Sequence, residues 1–102
     1  MFQNTTKLSF HVRAFIFTLV SHDFDQKKVE DKRLQYENAS QNPNGIKYQV
    51  IDAKMSLVRA EYSAELSKAT MFAARIRCTL DEVAAAEAAA QKMIKWEAED
   101  II

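Results

Sequence analysis

Two histidines and one cysteine are the residues with the most chemical reach in this chain of 102 residues. His11, His22 and Cys78 stand far apart, without the short spacings that gather ligands on a metal. Cys78 has no nearby His to draw off its proton, so it reads as a structural thiol rather than a nucleophile. The paired carboxylates Asp81/Glu82 and Glu99/Asp100 fall at the ends of a helix-forming stretch, where solvated charge is ordinary. A single Gly in the whole chain leaves no material for a Gly-rich phosphate loop. These observations predict no enzyme, no metal and no cofactor.

The basic residues are the next candidates. Lys27, Lys28, Lys32 and Arg33 precede the only Pro and Gly, Pro43 and Gly45; Lys47, Lys54 and Arg59 follow them. Four acids share the region: Glu30, Asp31, Glu37 and Asp52. If the chain folds back at the Pro–Gly turn, the cations gather at a hairpin tip and its flank. Such a tip suits an anionic surface, and a lipid leaflet gives about 1 kcal/mol for each basic residue near it. Lys27, Lys28, Lys32, Arg33, Lys47 and Lys54 are the expected lipid or anion contacts.

Bulk composition limits the alternatives. Fourteen basic and fourteen acidic side chains balance, which disfavours a nucleic-acid binder acting through net charge. The balance is uneven along the chain. Residues 1–79 carry twelve Lys/Arg against eight Asp/Glu, whereas residues 80–102 carry two against six. One Cys fits a reducing compartment. The most apolar run, "AFIFTLV" at 14–20, is too short to span a bilayer and lacks the flanks of a signal peptide. A cytoplasmic location is expected, at a membrane periphery if the basic tip docks there. The triplets Asn4-Thr5-Thr6 and Asn38-Ala39-Ser40 match the glycosylation pattern but carry no weight in a cytosolic chain.

These residues have to be positioned by a small number of long elements. With one Pro and one Gly, the chain has a single strong turn cluster, "NASQNPNG", and many-turned sheets are disfavoured. The predicted fold is all-α: an elongated antiparallel helical hairpin or coiled coil in one domain, 1–102. Its parts are a helix at about 8–38, a turn at 39–45, a helix at about 46–78 and a helix at about 80–100. Asp23 and Gln26 have the spacing of a helix start within the first segment. Ile51, Met55, Val58, Tyr62, Glu65, Ala69, Phe72 and Ile76 recur at steps of four and three, the stripe of a helix held against a partner. That partner is the first helix, another chain, or both. Thr79 and Glu82 have capping-box spacing, which allows a kink or a new start at 78–80; with no Gly or Pro to force a break, a helix running straight through stays open. Val83, Ala86, Ala90, Met93 and Trp96 share one face of the last helix.

An α+β alternative stays open on sequence alone. "KLSFHVRAFIFTLV" and "MFAARIRC" both alternate, which would place strands near 8–19 and 71–78 ahead of a C-terminal helix.

The segment "EDKRLQYENAS", "NPNG", "IDAKMSLVRAEYSAEL" resembles the helix–turn–helix arm of BAR-type membrane-scaffolding proteins. "SLVRAE" in particular is similar to the helix after the arm turn in the eisosome core proteins of fungi. The resemblance spans residues 24–78. It implies an elongated all-α dimer whose basic surfaces touch anionic lipid, a role open here to Lys27, Lys28, Lys32, Arg33, Lys47 and Lys54. The aromatic-rich "FHVRAFIFTLV" does not look like that family's opening helix.

The expected function is a non-catalytic helical assembly or scaffold protein that self-associates and docks on an anionic membrane surface through its basic hairpin tip. The alternative is a soluble protein-interaction module or small regulator acting through helix-mediated binding. Ile51, Met55, Val58, Tyr62, Phe72, Ile76, Met93 and Trp96 are the expected interface, and a homodimer, a membrane surface or a protein partner the expected contacts.

Overall fold

The computed structural model describes residues 9–100, and side chains through Trp96. It contains three helices: α1, Phe10–Gln41; α2, Lys47–Ile76; and α3, Leu80–Asp100. No strand occurs among the described residues, so the α+β alternative is set aside. Leu8 and the Asn4 triplet lie outside the described residues.

The aromatic-rich opening is helical because helical phase gives it a burial face. Val12, Phe15, Ile16 and Leu19 fall on one side at the i, i+3, i+4, i+7 spacing. Val12 and Phe15 are buried there against Val83 and Ala86, and Met71, Ala74 and Cys78 close over the cluster. Strand alternation would have left half of this set in water. The start is set by Ser9, whose Oγ accepts a hydrogen bond from the Val12 N–H at 3.2 Å. Asp23 does not start a helix. It lies inside α1 and pairs with Lys27 at 2.9 Å, one turn on.

The turn is built by the predicted residues. Asn42 is extended, as a residue before Pro tends to be. Its carbonyl accepts from the Gly45 N–H at 2.9 Å, and its side-chain oxygen from the Asn44 N–H at 3.0 Å. Gly45 does not use left-handed backbone, since no described residue has positive φ. Its requirement is close approach: a Cβ there would meet the Asn42 and Ala39 carbonyl oxygens at 3.0 and 3.1 Å.

The corner at 77–79 needs no Gly. Thr79 and Glu82 form the expected capping box: the Thr79 N–H donates to Glu82 Oε1 at 2.8 Å, and the Glu82 N–H to Thr79 Oγ1 at 3.2 Å. α1 is the central helix. It packs antiparallel to α2 along the hairpin and beside α3 over its N-terminal half. The Cα envelope measures 60 × 31 × 16 Å and the radius of gyration is 17.9 Å. A compact chain of this length would have about 13 Å.

Candidate functional site

The hairpin seam fixes which surfaces remain free. On α2 a shielded row runs through Val50, Ala53, Leu57, Ala60, Ala64, Ser67, Met71 and Ala74 and on to Cys78 at unbroken three–four steps, with Ser56 shielded beside it. On α1, between Phe24 and Gln41, they are Asp25, Val29, Lys32, Tyr36 and Ala39. Small residues on α2 let the backbones approach. The stem of Lys32 and the ring of Tyr36 then supply the apolar cover that α1 otherwise lacks. The Lys54 ammonium lies 4.8 Å from the centre of the Tyr36 ring.

The predicted stripe on α2 is a different face. Ile51, Met55, Val58, Tyr62, Glu65, Ala69, Phe72 and Ile76 are all exposed. At 100° per residue their centre lies about 150° from the seam. Exposure ranges from 45% at Phe72 to 83% at Ile76, and Leu66 beside them is 54% exposed. The first helix is therefore not the partner of this stripe. Leu57 and Ala60, buried mid-hairpin, and Met71, Ala74 and Cys78, packed at the base on the Val12/Phe15/Val83/Ala86 cluster, hold α2 in this rotation. The heptad carries that phase to the tip and leaves the larger apolar side chains outside.

On α3 the predicted face divides. Val83, Ala86 and Ala90 are buried, while Met93 and Trp96 are exposed. Ile94 takes the next inward place and lines a cleft of about 190 Å³ with Leu19, His22, Met71 and Glu87.

The six predicted cations do not form one tip cluster. Lys27 is tied to Asp23, and Lys54 to Tyr36. Arg33 faces a side of the hairpin shared with Glu30, Glu61 and Glu65. Lys47 opens α2, which has no side-chain cap. Lys28 and Lys32 come together on the opposite side with Arg59, around a groove of about 200 Å³ also lined by Ser56, Ala60 and Ser63. No carboxylate lines this groove, and Lys27–Asp23 is the one ion pair among the described residues. Further down the same side of α1, Phe10, Phe17 and Phe24 recur every seven residues with exposures of 71%, 72% and 63%. Sequence reasoning counted the cations but missed this row, whose signal was the seven-residue repeat.

The chemical candidates have structural partners. His22 Nδ1 lies 3.0 Å from Ser67 Oγ, and the Ser67 hydroxyl donates its only proton to the Ala64 carbonyl. Cys78 Sγ sits 3.6 Å from the His11 carbonyl and 3.7 Å from that of Ala74. Partial burial, and then the charge of Glu82, push its pKa upward. It is held as a thiol, which is a poor nucleophile. No group of three or more potential ligands is arranged for a metal among the described residues.

Glu82 joins two helix starts. Besides capping Thr79, its Oε2 accepts from the Ser9 hydroxyl at 3.3 Å. The N-termini of α1 and α3 lie side by side, so their positive dipole ends repel and a shared carboxylate relieves that repulsion. The Thr79 backbone N–H is the main reason the Glu82 carboxyl is held below its ordinary 4.5, with smaller help from the Thr79 and Ser9 hydroxyls.

No protein-family model matches the chain, and no curated protein or solved structure matches it. Among the described residues, no helix is long and apolar enough to cross a membrane.

Proposed function

We propose that this chain is a non-catalytic helical assembly protein that works by presenting the outer face of α2 to another helix. One observation carries the reading. An apolar stripe of helix-pairing period runs the length of α2 and has no partner among the described residues. Six large apolar side chains of the stripe and Leu66 beside it, about 200 Å² each and roughly half exposed, offer on the order of 700 Å². That is what one side of a standard protein interface contributes. The whole chain exposes 8093 Å², against about 5,900 Å² for a compact monomer of its mass. Size-exclusion chromatography with light scattering tests the reading. Tyr62→Asp should abolish association while Phe17→Asp, on another face, leaves it intact. Equal loss from both variants would count against it.

A second reading concerns where such an assembly would sit. The Lys28/Lys32/Arg59 groove and the Phe10/Phe17/Phe24 row share one side, pairing three cations around a groove with exposed aromatic rings. That combination supports docking on an anionic membrane leaflet. The likeness of residues 24–78 to a BAR-type arm points the same way. Co-sedimentation with phosphatidylserine vesicles at low salt, and its loss on combined Lys28→Glu, Lys32→Glu and Arg59→Glu, are the expected results. No co-sedimentation of the unaltered chain would remove this reading and leave the first untouched.

A further inference from the structure

The exposed stripe of α2 contains one carboxylate, Glu65, where a pairing helix would want an apolar side chain. Its position also specifies how a partner lies. In a parallel pair with a second copy, Glu65 would face Glu65 across the seam, and Lys54 would face Arg59 on the flank. The first is a like-charge contact taken out of water and the second adds a solvated repulsion on each flank. In an antiparallel pair the outcome depends on register.

We propose that α2 pairs with α2 of a second copy, antiparallel, about a two-fold axis between residues 63 and 64. This rests on the assembly reading above and adds its geometry. The axis lies midway between Ile51 and Ile76, the ends of the stripe, so the whole apolar face is covered. Ile51 then meets Ile76 of the second copy, Met55 meets Phe72, and Val58 meets Ala69. In the central layers the Tyr62 hydroxyl faces the second copy's Glu65, which gives the carboxylate a donor in each half. On one flank Glu61 faces Lys68 of the second copy, twice by symmetry. On the other, Arg59 lays its stem beside Leu66. Lys54 and Arg75 meet only at the two outer ends, in water, where like charge costs little.

Neighbouring registers are worse. A slip of one heptad toward the tip places Glu61 against Glu61 and Met55 against Glu65; one toward the base places Lys68 against Lys68 and uncovers Ile51 and Met55. A slip of two gives good charge pairs over the tip half but uncovers Phe72 and Ile76. α1 and α3 do not obstruct the preferred arrangement, since the seam with α1 lies about 150° around α2 from the stripe.

Disulfide trapping reads the register in the full chain. In a Cys78→Ser background, which keeps a hydroxyl near the His11 and Ala74 carbonyls, Val58→Cys and Ala69→Cys are made separately, with tags of different size. Both positions are exposed, so the protomer should tolerate the changes. Oxidation of the mixture is expected to give a cross-linked heterodimer. Neither variant alone should cross-link, because position 58 lies about 16 Å along the axis from its own copy, as does position 69. Cross-linking of Val58→Cys alone, or none in the mixture, would overturn this geometry.

Glu61→Lys should weaken association about tenfold, by converting two attractive flank pairs to repulsive ones. Adding Lys68→Glu should restore it; a double variant no tighter than the single one would also overturn the arrangement. If the unaltered chain is monomeric by light scattering at 100 µM, on the order of the weakest association worth assigning, the assembly reading itself fails. A dimer with the wrong cross-links fails only the register.

Discussion

Phe15 and Phe17 stand two residues apart on α1 and should behave as opposites. Phe15 is 1% exposed and is the largest fully buried side chain; Phe17 is 72% exposed. Phe15→Ala removes a ring wedged among Val12, Val83 and Ala86, where α1 and α3 meet. Buried Phe→Ala substitutions cost about 3–5 kcal/mol, according to how far the site collapses. Here Ile16, Leu19 and Met71 are only partly buried and can settle inward, which points to about 3 kcal/mol. A chain with so few buried residues should have a total stability near the low end of the usual range, about 5 kcal/mol. The variant would therefore lose more than half. At a urea slope of about 1.5 kcal/mol/M the midpoint falls by about 2 M. Phe17→Ala should move it by less than about 0.3 M, consistent with a surface change of under about 0.5 kcal/mol. Urea titration followed by circular dichroism, at one fixed protein concentration, makes the comparison. Equal effects, or a Phe15→Ala cost below about 1 kcal/mol, would refute the packing of α1 against α3.

Other consequences are open to the same methods. Ala60 is 5% exposed in the close seam between α1 and α2, so Ala60→Leu should destabilise by about 1–3 kcal/mol through overpacking. Tyr62→Ala, on the outer face, should leave urea stability of the dilute protomer within about 0.5 kcal/mol. Gly45→Ala should cost about 1 kcal/mol because its Cβ crowds two carbonyl oxygens; an unchanged melting temperature would show that the turn yields freely. Glu82 carries the pH dependence of the corner. Its folded pKa is depressed, so its stabilisation is present above the ordinary 4.5 and is lost as pH falls through the lower folded value. Glu82→Gln should flatten that acid limb in melting curves taken from pH 6 to pH 2; an unchanged slope would argue against the capping box.

Much of the architecture is legible in the sequence, for identifiable reasons. The helix boundary at Thr79 was legible because a capping box is a local signal, satisfied within four residues. The Asn42–Gly45 turn was legible because Pro and Gly occur nowhere else. The inward face of α3 was legible as far as Ala90, since small residues there admit α1. Two features were hidden. Phe10–Val20 alternates and turns helical at once, and only burial against α3 decides between them. On α2, two rows share the same three–four period. The richer row, Ile51 to Ile76, looked like the packing face, yet the Ala-rich row from Val50 to Ala74 is the one that meets α1. Nothing local distinguishes them, because the choice depends on tertiary contacts: Leu57 and Ala60 bury mid-hairpin, and Met71, Ala74 and Cys78 pack on the cluster around Phe15. The grouping of Lys28 and Lys32 with Arg59 was hidden for the same reason, as it depends on the rotation of α2.

Sedimentation equilibrium of the unaltered chain, over about 1 to 100 µM, bears most directly on whether α2 presents an assembly face. A mass that rises with concentration towards twice the 11.7 kDa of one chain is the predicted result. A constant monomer mass across that range would contradict it, and would leave the exposed stripe without the partner it is argued to have.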